Sequence, residues 1–149
     1  MVRSADKKNS SMKDDNFWEI RIPSQMRDGR REVETFVARI EAWGVTHDES
    51  LALRHSLHEA IVNAVRHGNG GDPSRHVRIS YRFLQRDIFI EVEDEGCGFD
   101  RDSVADPTSE ENRCRPGGRG LMMMRHFMNS VEYNDQGNCV TMRRTCQQS

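Results

Sequence analysis

The chain has little of several features that would place a protein in a class at once. No apolar run approaches the ~20 residues that a membrane-spanning helix needs, so we expect no membrane span. Lysine and arginine number 22 against 24 aspartates and glutamates, which leaves no positive excess to drive nonspecific nucleic-acid binding. The four cysteines contain no Cys-x-x-Cys pair, which disfavours a structural zinc site.

Length and composition indicate one domain. A chain of 149 residues, with 35% hydrophobic and 31% charged residues, fits a single hydrophobic core under a polar surface. Residues 1–16 are polar and rich in turn formers, so we expect a disordered arm, then a domain over 17–146 and a tail over 147–149. The arm lacks the apolar centre of a signal peptide, and we therefore expect a cytoplasmic protein with reduced thiols.

The first part of the chain predicts a strand followed by two helices. Phe17–Ile22 alternates apolar and polar residues, as a strand does. Ser24 is available to cap a first helix, which we expect to end at Gly44. Thr46 or Asp48 can cap a second, longer helix that runs to a glycine-rich break.

The rest of the chain predicts four strands, a long loop and a third helix. His76–Phe83 and Asp87–Val92 have a period of two and a short polar link, which favours a hairpin. Residues 100–116 are polar without periodicity, so we expect a loop, followed by a glycine-led helix and a last hairpin of Val131–Tyr133 with Cys139–Arg143. The fold class is therefore α/β (α+β): a two-layer sandwich whose mixed, mostly antiparallel sheet has helices on one face.

A first motif lies on the second helix, in the segment EAIVNAVRHG. Glu59, Asn63 and His67 are spaced by four residues, so they follow one stripe of an α-helix. The stripe brings together a carboxylate, an amide and an imidazole. A solvated helix face would give the same pattern, so the triplet taken alone leaves both interpretations open.

A second motif, DEGCGF, follows a predicted strand. Glycines at positions 96 and 98 allow the backbone to approach a ligand closely. A carboxylate at the strand end, Asp94, can accept a hydrogen bond from an exocyclic amine and so distinguish amino from keto purines. An ordinary turn between strands remains an alternative.

A third motif, GGRGL, opens the third helix at residues 117–121. Unpaired N–H groups and the helix dipole favour an anion such as phosphate at that position. No Gly-Lys-Ser/Thr follows, so this is not a Walker loop, and a simple glycine hinge is the alternative. The order of the three motifs is more informative than any one of them.

Taken together, the motifs resemble those of the GHKL ATPase superfamily, and within it the small stand-alone serine-protein kinases that act as bacterial anti-sigma factors. EAIVNAVRHG resembles the family's N box, DEGCGF its first glycine box and GGRGL with the next helix its second glycine box. The resemblance covers about Phe17 to Arg144. It implies a Bergerat-type ATP-binding fold, bound ATP and Mg²⁺, and a lid over the nucleotide at about residues 100–116.

The resemblance also implies roles for single residues. Glu59 would be the general base toward a serine hydroxyl, Asn63 would bind Mg²⁺ through its amide oxygen, and Asp94 would take the adenine amino group. The remaining ATP contacts implied are Arg66, His67, Gly96, Gly98, Gly118, Arg119, Gly120 and Leu121. Asn138 lies where many members place a threonine that holds a water near adenine.

The activity implied is that of an ATP-dependent serine-protein kinase. Its partners would be an anti-sigma-factor antagonist that accepts phosphate, a sigma factor, and a second copy of the chain in a homodimer. Neither direct nucleic-acid binding nor membrane binding is expected. The alternative is a non-catalytic, nucleotide-gated binding module that switches partners, although such a module would not need the carboxylate of Glu59.

Overall fold

A computed structural model describes residues 16–96 and 118–147, with side chains in the second range from Gly120 onward. Most of the predicted arm, Gly98, the predicted lid and the last two residues of the tail lie outside these ranges. The elements are β1 (Asn16–Pro23), α1 (Met26–Trp43), α2 (His47–Val62), a π-helical turn (Asn63–Gly68), β2 (His76–Leu84), β3 (Asp87–Asp94), α3 (Gly118–Phe127), β4 (Ser130–Tyr133) and β5 (Cys139–Thr145).

The strands form one sheet in the order β1-β2-β3-β5-β4. Both predicted hairpins are present, and Gln85 has the positive φ of 57° that the tight β2–β3 turn requires. All four described strand pairs are antiparallel, so over these residues the sheet that we predicted to be mixed and mostly antiparallel has no parallel pair. The predicted α+β class is confirmed.

One face of the sheet packs against the helices. Alternate residues of β2 and β3, such as Ile79 and Ile90, are buried and pack in one core with Phe36 of α1 and Leu57 of α2. The same alternation along β3 makes Asp94 the next inward position. A carboxylate therefore enters the layer between the sheet and the helices.

Two helix starts test the predicted caps. The prediction for α2 is confirmed, because Thr46 forms a capping box with Glu49. The N–H of Thr46 donates to Glu49 Oε1 at 3.1 Å, and the N–H of Glu49 donates to Thr46 Oγ1 at 3.2 Å. The predicted Ser24 cap of α1 is wrong. Gln25 occupies the N-cap position without a side-chain bond, while buried Ser24 accepts a hydrogen bond from the Nδ2 of Asn69 at 3.0 Å.

A series of hydrogen bonds between buried or half-buried side chains joins α1 to the sheet at a distance from the motifs. The hydroxyl of Tyr81 donates to Glu32 Oε2 at 2.9 Å, and Arg39 donates to that hydroxyl at 2.8 Å. Burial raises the pKa of Glu32, although the bond from Tyr81 and the charge of Arg39 oppose the rise. None of the helices in the described part of the chain combines the length and hydropathy that a membrane span requires.

Candidate functional site

The first motif lies where α2 changes to a π-helical turn at Asn63–Gly68. The backbone N–H of Asn69 donates to the carbonyl of Ala64, five residues earlier, at 2.8 Å, and this bond closes the wider turn. We predicted an unbroken α-helical stripe, but the wider period begins at Asn63. Asn63 is buried at 8% exposure, whereas Arg66 is exposed. His67 is half-buried and does not line the cleft described next.

A cleft lies between this turn, the end of β3 and the β4–β5 hairpin. It encloses about 250 Å³, including space open to solvent. Its apolar walls come from α2, the π-helical turn and two strands, and a few polar groups converge on it, as in small-molecule sites generally. The lining residues are Ala60, Asn63, Ala64, Val92, Asp94, Tyr133, Gly137, Asn138 and Val140.

Asp94 is the charged group of the cleft. Its Oδ1 accepts a hydrogen bond from the N–H of Gly96 at 2.9 Å, and the residue is 8% exposed. Burial raises the pKa of Asp94 to about 6, helped by the charge of Glu93 and opposed by the Gly96 bond and by Arg75. At neutral pH it is therefore a carboxylate, able only to accept hydrogen bonds.

Two glycines allow the backbone to close around this carboxylate. A Cβ added to Gly68 would stand 2.1 Å from Asp94 Oδ2, and one added to Gly96 would stand 1.2 Å from the carbonyl oxygen of Gly68. Both glycines are thus required by close packing. Sequence analysis singled out Gly96 but missed Gly68, because its need is created by a carboxylate 26 positions away in the chain.

The β4–β5 hairpin supplies the opposite side of the cleft. Asn138 holds the end of β3, since its carbonyl accepts from the N–H of Asp94 at 2.9 Å and its Nδ2 donates to the Asp94 carbonyl at 3.2 Å. Its Oδ1 accepts from Asn134 at 2.8 Å. Asn138, which we expected near adenine, therefore also joins the β4–β5 turn to the end of β3.

Two buried polar atoms in the cleft, the Nδ2 of Asn63 and the hydroxyl of Tyr133, make no hydrogen bond of normal geometry among the described residues and have only a weak bond to each other. Burial raises the pKa of Tyr133 to about 12, and that weak bond from the Asn63 side chain opposes the rise. Unsatisfied buried groups are rare in folded proteins, so these two point to a polar ligand. Sequence analysis missed Tyr133, because an aromatic residue in a strand carries no signal beyond strand propensity.

The start of α3 brings the third motif onto the first. A Cβ on Gly120 would stand 2.6 Å from Glu59 Oε1 and 3.7 Å from Asn63 Nδ2. Leu121 packs at the edge of the core, and Gly118 and Arg119 form the first turn of the helix. The N-terminal end of α3 therefore faces a carboxylate and an amide, and its positive end favours an anion there.

The donor set fits a magnesium ion that is shared with a ligand. No group of three or more histidines, cysteines or acidic residues that could hold a metal occurs within the described ranges. Within the described ranges the Nδ2 of Asn63 makes no hydrogen bond of normal geometry, so little opposes a rotation that turns the amide oxygen toward a cation. Mg²⁺ commonly takes one or two protein oxygens and completes its shell with phosphates and waters.

Known proteins similar to this chain indicate its family. The family model described as a histidine kinase-like ATPase domain matches residues 22–144. An anti-sigma F factor of Clostridium perfringens is 28% identical over 120 residues, which cover 77% of this chain and 84% of that one. A serine-protein kinase RsbW of Oceanobacillus iheyensis is 29% identical, with 66% of each chain covered.

A solved structure shares the fold. The crystal structure of the RsbU and RsbW domains of a Mycobacterium tuberculosis protein matches with a TM-score of 0.56 and 17% identity. The match covers 89% of this chain and 32% of that one. At this level of identity the likeness supports the architecture alone.

Proposed function

The chain belongs to the family of histidine kinase-like ATPase domains, and from that premise we propose that it is an ATP-dependent serine-protein kinase that acts as an anti-sigma regulatory factor. The observation that carries the proposal is the contact between Glu59 and the start of α3, because the N-terminal end of a helix is suited to bind a phosphate beside that carboxylate. Relatives named as anti-sigma F factors and as serine-protein kinases support it.

In this proposal residues 17–146 form the ATPase domain and the cleft takes adenine. The Asp94 carboxylate accepts a hydrogen bond from the adenine amino group, while Val92 and Val140 form apolar walls against the base. Gly96 allows the close approach that this bond needs, and Gly98, which lies outside the described residues, is proposed to support the base. The domain acts in the cytoplasm, where ATP and the transcription machinery are found.

The phosphates lie between the π-helical turn and α3. Backbone N–H groups of Gly118, Gly120 and Leu121 donate to them, as the unpaired first turn of a helix allows. Asn63 contributes its amide oxygen to Mg²⁺, which neutralises charge on the phosphates when bound. The cationic side chains proposed as further phosphate contacts are Arg66, His67 and Arg119, and residues 100–116 are the proposed lid.

Phosphoryl transfer then needs positioning and one proton acceptor. The serine hydroxyl oxygen of the partner forms a bond to the γ-phosphorus, and the bond from that phosphorus to the β–γ bridging oxygen breaks, so ADP leaves. Glu59 takes the hydroxyl proton as general base. The closeness of Glu59 to Gly120 supports this role, because the start of α3 is the proposed phosphate site.

Three protein partners belong to the proposal. The phosphate acceptor is an anti-sigma-factor antagonist and the protein held inactive is a sigma factor, as the names of the relatives suggest. A homodimer would use the edge of β1, which is an outer strand among the described strands and carries Phe17 and Ile20 at 48% and 40% exposure.

The alternative is a nucleotide-gated binding module without transfer. One experiment separates the two: the protein is incubated with ATP labelled on the γ-phosphate and with candidate antagonist domains, and phosphoserine is located by mass spectrometry. In Glu59→Gln, which keeps the size of the side chain, we expect transfer to fall by about 10²–10⁴-fold. The affinity for ATP should stay close to that of the wild type.

The matched control is Glu132→Gln, a change of the same chemistry at an exposed position of β4. It should leave both transfer and ATP affinity unchanged. Transfer by Glu59→Gln at the wild-type rate would reject the role of the base. ATP-dependent partner binding by a wild-type protein that transfers nothing would favour the binding module.

A further inference from the structure

Asn69, which directly follows the π-helical turn, joins separate segments beneath the cleft. It is 2% exposed. Its Oδ1 accepts from the N–H of Glu95 at 2.9 Å, and its Nδ2 donates to the hydroxyl of Ser24 and to the carbonyl of His76, each at 3.0 Å. One side chain thus links the ends of β1 and β3 with the start of β2.

The bond to Glu95 acts on the residue that follows Asp94. On the other flank Gly68, the residue before Asn69, lies against the Asp94 carboxylate, and Gly96 lies against the carbonyl of Gly68. The backbone of residues 68–69 and that of residues 94–96 are therefore locked together. Any shift of Glu95 away from Asn69 would move the carboxylate relative to the cleft.

The other hydrogen bonds and ion pairs of Glu95 are weaker. Its side chain pairs with Arg21 at 3.0 Å and with His76 at 3.6 Å, but the carboxylate is 44% exposed. Arg75 reaches its carbonyl at 3.4 Å. Exposed pairs of this kind contribute little, so the strongest contact of Glu95 is the hydrogen bond that its backbone N–H donates to the buried Oδ1 of Asn69.

We infer that Asn69 is a positioning residue that sets the selectivity of the cleft for an amino purine over a keto purine. It acts through the N–H of Glu95 by holding the Asp94 carboxylate at the place where an exocyclic amine can donate to it. The inference rests on the proposed function, since it assumes that the cleft takes adenine. Because a single hydrogen bond distinguishes amine from ketone, a small displacement of the acceptor weakens selectivity before it weakens overall binding.

The test measures the dissociation constants of ATP and of inosine triphosphate by calorimetry, with Mg²⁺ present at pH 8. Wild-type protein should prefer ATP. In Asn69→Ala the ratio of the two constants should fall about tenfold, the effect of about one lost hydrogen bond. Asn69→Asp keeps an oxygen for the Glu95 N–H, so its ratio should stay within about threefold of the wild type even though its donor bonds are lost.

Two controls separate positioning from general loss of stability. Ser24→Ala removes a partner of the same amide but leaves the bond to Glu95, and Tyr81→Phe removes a buried hydrogen bond far from the cleft. Both should lower the melting temperature and keep the wild-type ratio. If Asn69→Ala does not fold, Asn69→Asp still tests the inference, because a loss of its nucleotide preference would contradict it.

The inference is overturned if folded Asn69→Ala keeps the wild-type ratio, if Asn69→Asp loses it, or if the controls lose it equally. It is also overturned if the wild type binds ATP without preferring it. A wild type that binds neither nucleotide would contradict the proposed function itself, which is a distinct result.

Discussion

The Oε1 of Glu59 lies 2.6 Å from the point where a Cβ on Gly120 would stand. The first and third motifs, about 60 residues apart in the chain, are therefore in direct contact through a carboxylate and a backbone without a side chain. This contact leaves no room for even a methyl group between α2 and the first turn of α3. A change at either residue should therefore disturb the proposed catalytic site.

Gly120→Ala should lower transfer with a small effect on stability. The methyl group would meet the mobile end of the Glu59 side chain, which can swing away but then leaves the position of a base. We expect the rate constant for transfer to fall at least about tenfold while the melting temperature changes little. Transfer assays and thermal melts check this.

Gly29→Ala provides the contrast to that variant. Its Cβ would also meet an atom at 2.6 Å, but that atom is the Cγ2 of buried Ile61. Overpacking in the core should cost about 1–3 kcal/mol of unfolding free energy and leave the transfer rate of the folded protein unchanged. Equal effects of the two alanines on transfer would contradict the special role of Gly120.

Gly68→Ala should damage the cleft itself. Its Cβ would stand within 2.5 Å of three atoms of the Asp94 carboxyl group, and the backbone on both sides is held by hydrogen bonds. We expect weaker ATP binding together with a lower melting temperature. Gly70→Ala is the control, since its Cβ meets nothing within 4 Å and it should cost only the strain of its φ of +63°, about 1 kcal/mol.

Asp94→Asn should stabilise the free protein and weaken ATP binding. Burial raises the pKa of Asp94 to about 6 from its ordinary value of 3.8, so between these values the folded state binds more protons than the unfolded state. The stability that this group contributes when protonated is therefore lost as the pH rises toward 6. Above pH 6 the buried carboxylate lowers the stability of the folded protein. At pH 7.5 the variant should be more stable by about 1–2 kcal/mol, after allowing for solvent screening.

The pH dependence provides the check on that variant. Denaturant unfolding at pH 4 and at pH 7.5 should show the advantage of Asp94→Asn only at the higher pH. ATP binding by the wild type should weaken as the pH falls through about 6, because a protonated carboxyl group no longer offers two acceptors. A binding curve that is flat from pH 5 to 8 would argue against Asp94 as the adenine acceptor.

Ile20→Lys tests the proposed dimer. Lysine on an edge strand opposes pairing with another strand, and Ile20 is already 40% exposed. Light scattering should report a dimer for the wild type and a monomer for the variant, with the fold retained. A variant that remains dimeric would move the interface away from the edge of β1.

The sequence predicted the elements well where a single period extends over a segment. The alternation in His76–Phe83 and the helix cap expected at Thr46 or Asp48 depend on near neighbours, and the structure has the alternation and a cap at Thr46. The Ser24 cap failed for a reason that local spacing does not contain. A partner 45 positions away, Asn69, takes the hydroxyl instead.

For the candidate site, the sequence by itself determined which chemical groups are available: a carboxylate and an amide on one helix, an acid after a strand and a glycine-led helix start. Only the tertiary structure decided how they meet, by placing Gly68 against Asp94 and Gly120 against Glu59. It also placed Asn69 where it bonds to Glu95, the residue after β3. The reason is that periodicity and capping act over a few residues, whereas close approach and buried hydrogen bonds join segments that come together only when the core forms.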